Sequence, residues 1–424
     1  MSLRIINTAT TAAIVAYWPQ MHLFIDQNGN LINTAGSVVA TLQPGTTGYS
    51  IWFEALQDPS TMWLWAFWQA NGVWPPIAWP MVYNEDLQVV KNPGGALGEN
   101  RQWIMDFDQF GNKYFISPGQ VYTTTDLWWM VLNYHFLDYP REQDYMSYRV
   151  PNTVFPALNL MSNGTIGFSV GNGVGFESAA IIGGTLYGYF FTNAPPLPLT
   201  IVSAPKALYE RWIVHAWAFS IVRDDGIAPG GNYRGDMIAE KGNLVYTFIT
   251  NSGDFILVDN AYGRTVTIGT VSTSESFYTY IRRFGGTQLL ILAASGPGYS
   301  LTTLNAYIYD FSSGNITQVL SNVSLNTAVS PNITRYGYFP AGTSTFQLIL
   351  PQTTYRISIT KQSSTVAIAQ VFDEAGNPVP DLPLNVYACS GWSYGTLGGD
   401  RNTLLGTATT NASGQATITY SGPL

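Results

Sequence analysis

The stretch from Asp236 to Gly269, DMIAEKGNLVYTFITNSGDFILVDNAYGRTVTIG, constrains the fold more than any other part of the chain. Its runs IAEKG, LVYTFIT, DFILVDN and RTVTIG read as three or four short strands. Lys241-Gly242-Asn243, Asn251-Ser252-Gly253 and Ala261-Tyr262-Gly263 separate them. β-Branched and aromatic residues suit a pleated surface, and Gly and Asn supply the positive φ of tight hairpins. The segment is predicted as one antiparallel meander. Such a unit has two faces to cover and open edges, so it needs neighbours of its own kind.

The rest of the chain offers them. Met21 to Leu42 reads as two strands around Asn28-Gly29-Asn30 and then a third, Arg101 to Thr125 repeats the theme, and the hairpin motif returns from Ala157 to Phe191. Two further units follow Gly269, the first ending at Ser313-Gly314. Asp126 to Tyr148 breaks the pattern and is read as a loop or short helix. APPLP at 194–198 reads as an extended connector, and Pro205 is expected to open a short helix through LYERWIVHAWAF. Five or six meanders from Met21 to about Pro351 point to an all-β, propeller-like array, which buries both faces of each sheet and leaves short edges. A pair of large sandwiches or jelly rolls is the competing architecture.

Composition narrows the environment. Only 10% of the 424 residues are charged, against roughly 25% in ordinary soluble proteins, while 46% are hydrophobic. Thr, Ser, Asn, Gln, Tyr and Gly must therefore form the surface. Such a surface changes little when carboxylates protonate, which suits an acidic extracellular medium and equally a generic secreted β protein. A net charge of −8 with no Lys/Arg run excludes a phosphate-attracting field, so no nucleic-acid partner is expected. No segment reaches the roughly 18 uninterrupted apolar residues of a spanning helix. Asn7, Thr8, Thr10 and Thr11 interrupt the apolar run at the N-terminus, which reads as a first strand and not an export signal. Cys389 is a lone cysteine and reads as a small buried apolar residue.

Candidate sites are few. Trp63, Trp65 and Trp68 lie in the most aromatic stretch, and exposed tryptophans stack on sugar rings. Alternation in MWLWAFW puts Trp63, Trp65 and Phe67 on one strand face, where a buried face between sheets is the alternative to a glycan platform. Asp106, Asp108 and Gly111 form a D-x-D-x-x-G pattern that fits either a calcium ligand set or an Asp-capped turn. The glycines at 171, 173 and 175 precede no helix, so they read as a turn and not a phosphate cradle. His22, His135 and His215 have no metal-ligand spacing, and no cofactor or metal is expected. Glu85 with Asp86 and Asp224 with Asp225 are acidic pairs of the kind a glycosidase uses, and also of the kind found on solvated turns. Asn-x-Ser/Thr sequons occur at Asn163, Asn315, Asn322, Asn332 and Asn411, and glycosylation there would imply an external surface.

From Tyr355 the chain runs RISITKQSSTVAIAQVFDEAGNPVPDLPLNVYACSG and then LLGTATTNASGQATITYSG, with a Gly-rich insertion from Gly391 to Gly399. The turn Asp373 to Pro380 and the stretch Thr409 to Thr417 resemble the hairpins of immunoglobulin-like modules in bacterial invasins and carboxypeptidase-regulatory-type domains. This resemblance implies a small immunoglobulin-like β-sandwich that serves as stalk, spacer or adhesion module, without enzymatic chemistry. Residues 1–353 are thus expected to form the propeller-like body, with a possible subdivision near 194–205, and 354–424 the sandwich.

The uncharged, Thr/Tyr/Trp-rich β structure, the clustered sequons and this terminal module together resemble exterior structural proteins of viruses infecting thermoacidophilic archaea, such as turret, spike or tail components. That resemblance implies a noncatalytic virion-surface protein acting in assembly and host attachment. Its implied partners are further copies of itself, other virion proteins and a host-surface glycan or pilus. A secreted carbohydrate-binding protein or glycosidase, and a cell-surface filament or adhesion subunit, are the alternatives.

Overall fold

The computed structural model describes residues 3–43, 48–51, 55–57, 62–70, 78–91, strand segments between 104 and 234, and 235–250, 252–298, 300–387, 392–393 and 404–420. These residues are all-β and hold no helix. Seven sheets follow one another through the body, antiparallel except where Tyr233–Arg234 runs parallel to the first strand of the sixth, and we call them blades 1 to 7. Blade 1 has strands Ile14–Trp18, Leu23–Asp26, Asn30–Ile32 and Val38–Thr41. Blade 2 sets Tyr49–Ser50 and Ala55–Gln57 against Leu64–Ala70, followed by Ala78–Tyr83 and Val89–Lys91. Blade 3 runs Ile104–Phe107, Lys113–Thr124, Leu127–Phe136 and Tyr145–Pro151, and blade 4 runs Gly175–Ile182, Thr185–Phe191, Leu199–Pro205 and Ser220–Asp225. Blade 5 is the meander expected from Asp236 to Gly269, with strands Met237–Glu240, Asn243–Ile249, Asp254–Asp259 and Arg264–Thr270. Blade 6 comprises Ser276–Arg283, Gln288–Gly296, Thr303–Asp310 and Ile316–Ser324.

Blade 7 closes the ring. Its strands Ile333–Thr334, Gly337–Tyr338 and Gln347–Pro351 are completed by Leu3–Asn7 from the other end of the body, paired in register Leu3 with Pro351 through Asn7 with Gln347. Core packing agrees with this order. Ile14, Phe24 and Ile32 of blade 1 share a cluster with Trp65 and Phe67 of blade 2 and with Leu348 and Leu350 of blade 7. Blades 5 and 6 share Leu257, Ile281, Leu289 and Ile291, all fully buried, each contributing about 1.5–3 kcal/mol of transfer free energy. Blade 6 meets blade 7 through Leu290, Leu292 and Ile349. The strand Asn243–Ile249 is buried on both faces, while the outer strand Arg264–Thr270 is largely open. A sheet sandwiched between neighbours loses its apolar/polar alternation everywhere except at its rim.

The hairpins share one local device. Asp26, Asn33, Asn84, Asp373 and Asn411 each accept the backbone N–H four residues on: Asn30, Ser37, Gln88, Asn377 and Gln415, at 2.8–3.0 Å. The residue just before that donor sits at positive φ. It is Gly29 (+80°) in the first turn and Leu87 (+62°) in the third. Thr250 builds the same turn through its hydroxyl to the Asp254 amide, at 3.0 Å. A side-chain acceptor, a type I turn and a left-handed residue are all encoded within five positions.

Two expectations are corrected. The body holds seven sheets among the described residues, not five or six meanders. The stretch from Asp126 to Tyr148, read as a loop or short helix, carries Leu127–Phe136 and the start of Tyr145–Pro151, two strands of blade 3. Its charges, Asp126 and then Asp138, Arg141, Glu142 and Asp144, flank Leu127–Phe136, which carries none itself and pairs on both sides. The helix expected after Pro205 and the connector at 194–198 lie outside the described residues. Leu199–Pro205 pairs on both sides within blade 4.

After Pro351 a short link leads to a two-layer β-sandwich. Arg356–Lys361, Val366–Phe372 and Gln415–Thr419 form one sheet, and Pro383–Tyr387 with Leu404–Thr409 the other. Ala369, Val371, Leu384, Val386, Ala416 and Ile418 fill the space between them. From within the module, Trp392–Ser393 pairs with Ile104–Phe107 of blade 3.

Candidate functional site

The polar cluster most distinct from the blade cores lies where ring and module meet. His22 follows the turn that leaves the first strand of blade 1; its N–H donates to the Pro19 carbonyl at 3.1 Å and its φ is +56°. Its ring spans two elements, with Nδ1 2.6 Å from the Tyr17 hydroxyl and Nε2 3.1 Å from Thr354 Oγ1. Thr354 lies in the link after Pro351 and donates its hydroxyl to Glu374, in the module's Asp373–Asn377 turn. Glu374 also takes the Arg4 guanidinium, from the strand that closes blade 7.

Counting protons fixes the direction of this relay. A carboxylate only accepts, so the single Thr354 proton goes to Glu374 and the Thr354 oxygen must accept from His22 Nε2–H. That leaves a lone pair on Nδ1, and Tyr17 donates to it. Burial, reinforced by Tyr336, pushes the Tyr17 hydroxyl far above the ordinary tyrosine range, so it keeps its proton. Burial likewise holds His22 below the ordinary histidine value; Glu374 pulls it up, while Arg356 and Arg4 press it further down. The imidazole is neutral at pH 7. A cleft of about 290 Å³ opens beside it, lined by Met21, Thr34, Arg356, Phe372 and Glu374, with the Arg356 guanidinium 4.8 Å over the Phe372 ring.

A second set of charges lies within and between the blades. Asp236 accepts from Arg335 at 2.7 and 2.9 Å, from Met237 N–H at 2.9 Å and from Ile281 N–H at 2.8 Å, tying blades 5, 6 and 7. Glu240 takes Arg283 at 3.0 and 3.2 Å, and Asp259 takes the Tyr309 hydroxyl at 2.6 Å. Asp26 accepts from Thr10, Asn28 and Asn30. Every buried carboxylate among the described residues thus has donors of the chain's own around it.

The sugar-stacking expectation is corrected. Trp65 and Trp68 are 3% and 1% exposed, on opposite faces of Leu64–Ala70, and Trp63 packs partly buried against the cluster that holds Trp65. The Trp68 indole donates to the Tyr83 hydroxyl at 3.0 Å, which donates to the Gln43 carbonyl at 3.0 Å. Neighbouring blades cover both faces, so neither ring presents a flat surface to a ligand. Asn332 is corrected as well: it is buried, and its amide donates to the Leu301 carbonyl at 2.7 Å. Asn315, Asn322 and Asn411 are exposed, the first two at the start and within the outer strand of blade 6. Asn163, Asp108, Gly111, Gly171, Gly173 and His215 lie outside the described residues. Glu85 and Asp86 sit exposed on the turn between the last two strands of blade 2, and Asp224 and Asp225 end a strand of blade 4. No group of three or more His, Cys, Asp or Glu able to hold a metal occurs among the described residues. Sequence reading set His22 aside as an isolated histidine. Its partners Thr354 and Glu374 stand more than 300 positions away, and no local pattern marks them.

Strand order and ring closure define a propeller-like protein with an appended β-sandwich. No protein-family model matches the chain, and no curated protein matches it. Among solved structures, a chain of the mitotic checkpoint complex is similar over 99% of this chain and 91% of its own, at 9% identity and a TM-score of 0.37. A fungal alcohol oxidase in complex with copper is similar over 87% and 90%, at 8% identity and a TM-score of 0.37. A quinonprotein alcohol dehydrogenase-like protein from Bacteroides thetaiotaomicron is similar over 97% and 78%, at 9% identity and a TM-score of 0.33. At these scores the likenesses carry no functional argument.

Proposed function

We propose that this chain is a noncatalytic structural protein of a virion exterior, a turret, spike or tail component in which the ring docks to the particle and the module acts as spacer or contact element. The observation that carries this reading is the use of charge. The buried carboxylates Asp26, Asp236, Glu240 and Asp259 are all engaged in holding turns and blades together, and the charges at the junction hold the module. A Thr-, Ser- and Asn-rich exterior fits exposure to a harsh medium, and the exposed Asn315 and Asn322 fit a glycosylated outer surface. Copies of the chain associate in this proposal through outer edges, where Val38, Val39, Val89 and Val90 are exposed on the last strands of blades 1 and 2. The burial of Trp65 and Trp68 weighs against the carbohydrate-binding alternative.

Native and intact mass spectrometry on purified particles tests the reading. The expected result is a multimer of this chain bound to another capsid or tail protein. A bare monomer in culture supernatant that binds or cleaves polysaccharide would overturn it.

A further inference from the structure

We propose that the cleft between ring and module is a binding site for one uncharged sugar ring. The argument rests on hydrogen-bonding capacity that the chain leaves unspent there. Thr34 is only 8% exposed and lines the cleft, yet its hydroxyl bonds to no other described residue. A buried hydroxyl is normally hydrogen-bonded, so the partner of Thr34 comes from the cleft. Asn33 spends its side-chain carbonyl on the Ala35 and Ser37 N–H groups, both at 3.0 Å, and has its amide N–H bonds to offer. On the module side, Glu374 takes both Arg4 and Thr354 on Oε1, which leaves Oε2 without a donor among the described residues. Arg356 packs its guanidinium 4.8 Å over the Phe372 ring and makes no ion pair or hydrogen bond through its side chain among the described residues.

These four groups define the chemistry of the ligand. The Asn33 amide and Arg356 donate, Glu374 accepts, and Thr34 does either. A hydroxyl also does both, so neighbouring hydroxyls on one ring can accept from Arg356 and donate to Glu374. Charge balance favours an uncharged compound. Arg356 and Arg4 offset Glu374 and Asp373, and Asp373 is committed to its own turn through Asn377. Neither a phosphate nor an ammonium group gains a net counter-charge. His22 has nothing to add, since Tyr17 and Thr354 occupy its two ring nitrogens.

Shape agrees with this class. Met21, Leu23 and Phe372 give the cleft an apolar side, which suits the C–H face of a pyranose. Its volume of about 290 Å³ is at the small end of ligand sites, which run roughly 300–1,000 Å³, so it admits one ring. The relay and the pairing of Trp392–Ser393 with blade 3 hold the module at two places, so both walls stand before a ligand arrives. The site is distinct from the strand Leu64–Ala70, whose tryptophans are covered, and it does not rest on the virion reading.

The test titrates the full chain with the methyl glycosides of glucose, galactose, mannose, fucose and N-acetylglucosamine up to about 50 mM, read by saturation-transfer NMR. Glycerol, phosphate and ethylamine are the comparison compounds. A single ring makes few contacts, so the expected Kd for the preferred glycoside is on the order of 1 mM. Thr34→Val keeps the side-chain shape and should weaken binding about 2- to 10-fold, and Arg356→Met keeps an apolar stem over Phe372 and should weaken it about 10-fold or more. Neither side chain makes a hydrogen bond within the fold, so the Tm of both variants should stay close to that of the parent chain. Binding of no glycoside, binding unchanged in both variants, or an equal response to glycerol overturns the site. A preference for phosphate or ethylamine overturns its uncharged class.

Discussion

Arg335 grips Asp236 with two parallel hydrogen bonds, Nε to Oδ2 at 2.9 Å and Nη2 to Oδ1 at 2.7 Å, across 99 positions of chain and almost without solvent exposure. The carboxylate also holds the backbone of blades 5 and 6. Removing one partner leaves an uncompensated buried charge, so Arg335→Ala should destabilise by about 3–5 kcal/mol in denaturant unfolding. Arg335→Lys loses the planar fork and should recover little of this. A loss below 1 kcal/mol in Arg335→Ala would show that the pair is not what ties these blades.

Ring closure depends on the strand Leu3–Asn7. Ile349 turns its N–H to the Tyr336 carbonyl, so its neighbours Leu348 and Leu350 face the N-terminal strand, and Ile6 belongs to a hydrogen-bonded pair with Leu348. Ile6→Pro deletes that donor. An orphaned buried carbonyl alone costs about 1–3 kcal/mol, and early exposure of blade 7 amides to hydrogen exchange should accompany it. Exchange rising equally in every blade would argue against local opening.

Gly29 combines a left-handed backbone with close approach to a ring. At φ +80° a Cβ would collide with the Trp68 indole. Gly29→Ala should therefore cost roughly 2–5 kcal/mol from strain and overpacking together, measured by thermal or chemical unfolding. A neutral effect would mean that Trp68 repacks freely.

Alkaline pH offers a separate probe. Burial pushes Tyr83 up to about 12, moderated by the Trp68 hydrogen bond, and burial with the Asp259 hydrogen bond raises Tyr309 to about 12. Both folded values exceed the unfolded value near 10, so the stability these groups contribute is complete below pH 10 and lost as pH rises towards 12. Ultraviolet titration should show a cohort of tyrosines ionising only together with unfolding. Smooth ionisation of all 26 tyrosines near pH 10 in the folded chain contradicts this.

Glycan mapping separates the sequons. Expression in a glycosylating host should leave Asn332 unmodified, because its amide is committed to Leu301 inside the fold, while Asn315 and Asn322 are open to the modifying enzyme. A glycan recovered on Asn332 from folded protein refutes that placement.

What the sequence shows well is what acts over a few residues. The meander at Asp236–Gly269 was legible because Lys241-Gly242-Asn243 and Asn251-Ser252-Gly253 punctuate runs of strand-forming residues, and the Asp373–Asn377 and Asn411–Gln415 turns announce themselves by an Asx residue three positions before a glycine. The aromatic run at Trp63–Trp68 was ambiguous, since alternation on a strand is the same whether a face meets solvent or another sheet.

The sequence by itself determined an all-β chain of hairpins with few charges and a distinct C-terminal segment, because Asx turns, positive-φ positions and β-branched runs are set by bonds spanning about five residues. Tertiary structure alone decided the count of seven sheets, the closure of the last by Leu3–Asn7, the burial of Trp65, Trp68 and Asn332, and the gathering of Arg4, His22, Thr354 and Glu374 into one relay. Those contacts join residues tens to hundreds of positions apart. Their partners are chosen by how neighbouring sheets pack, a property of the closed ring that no local segment contains.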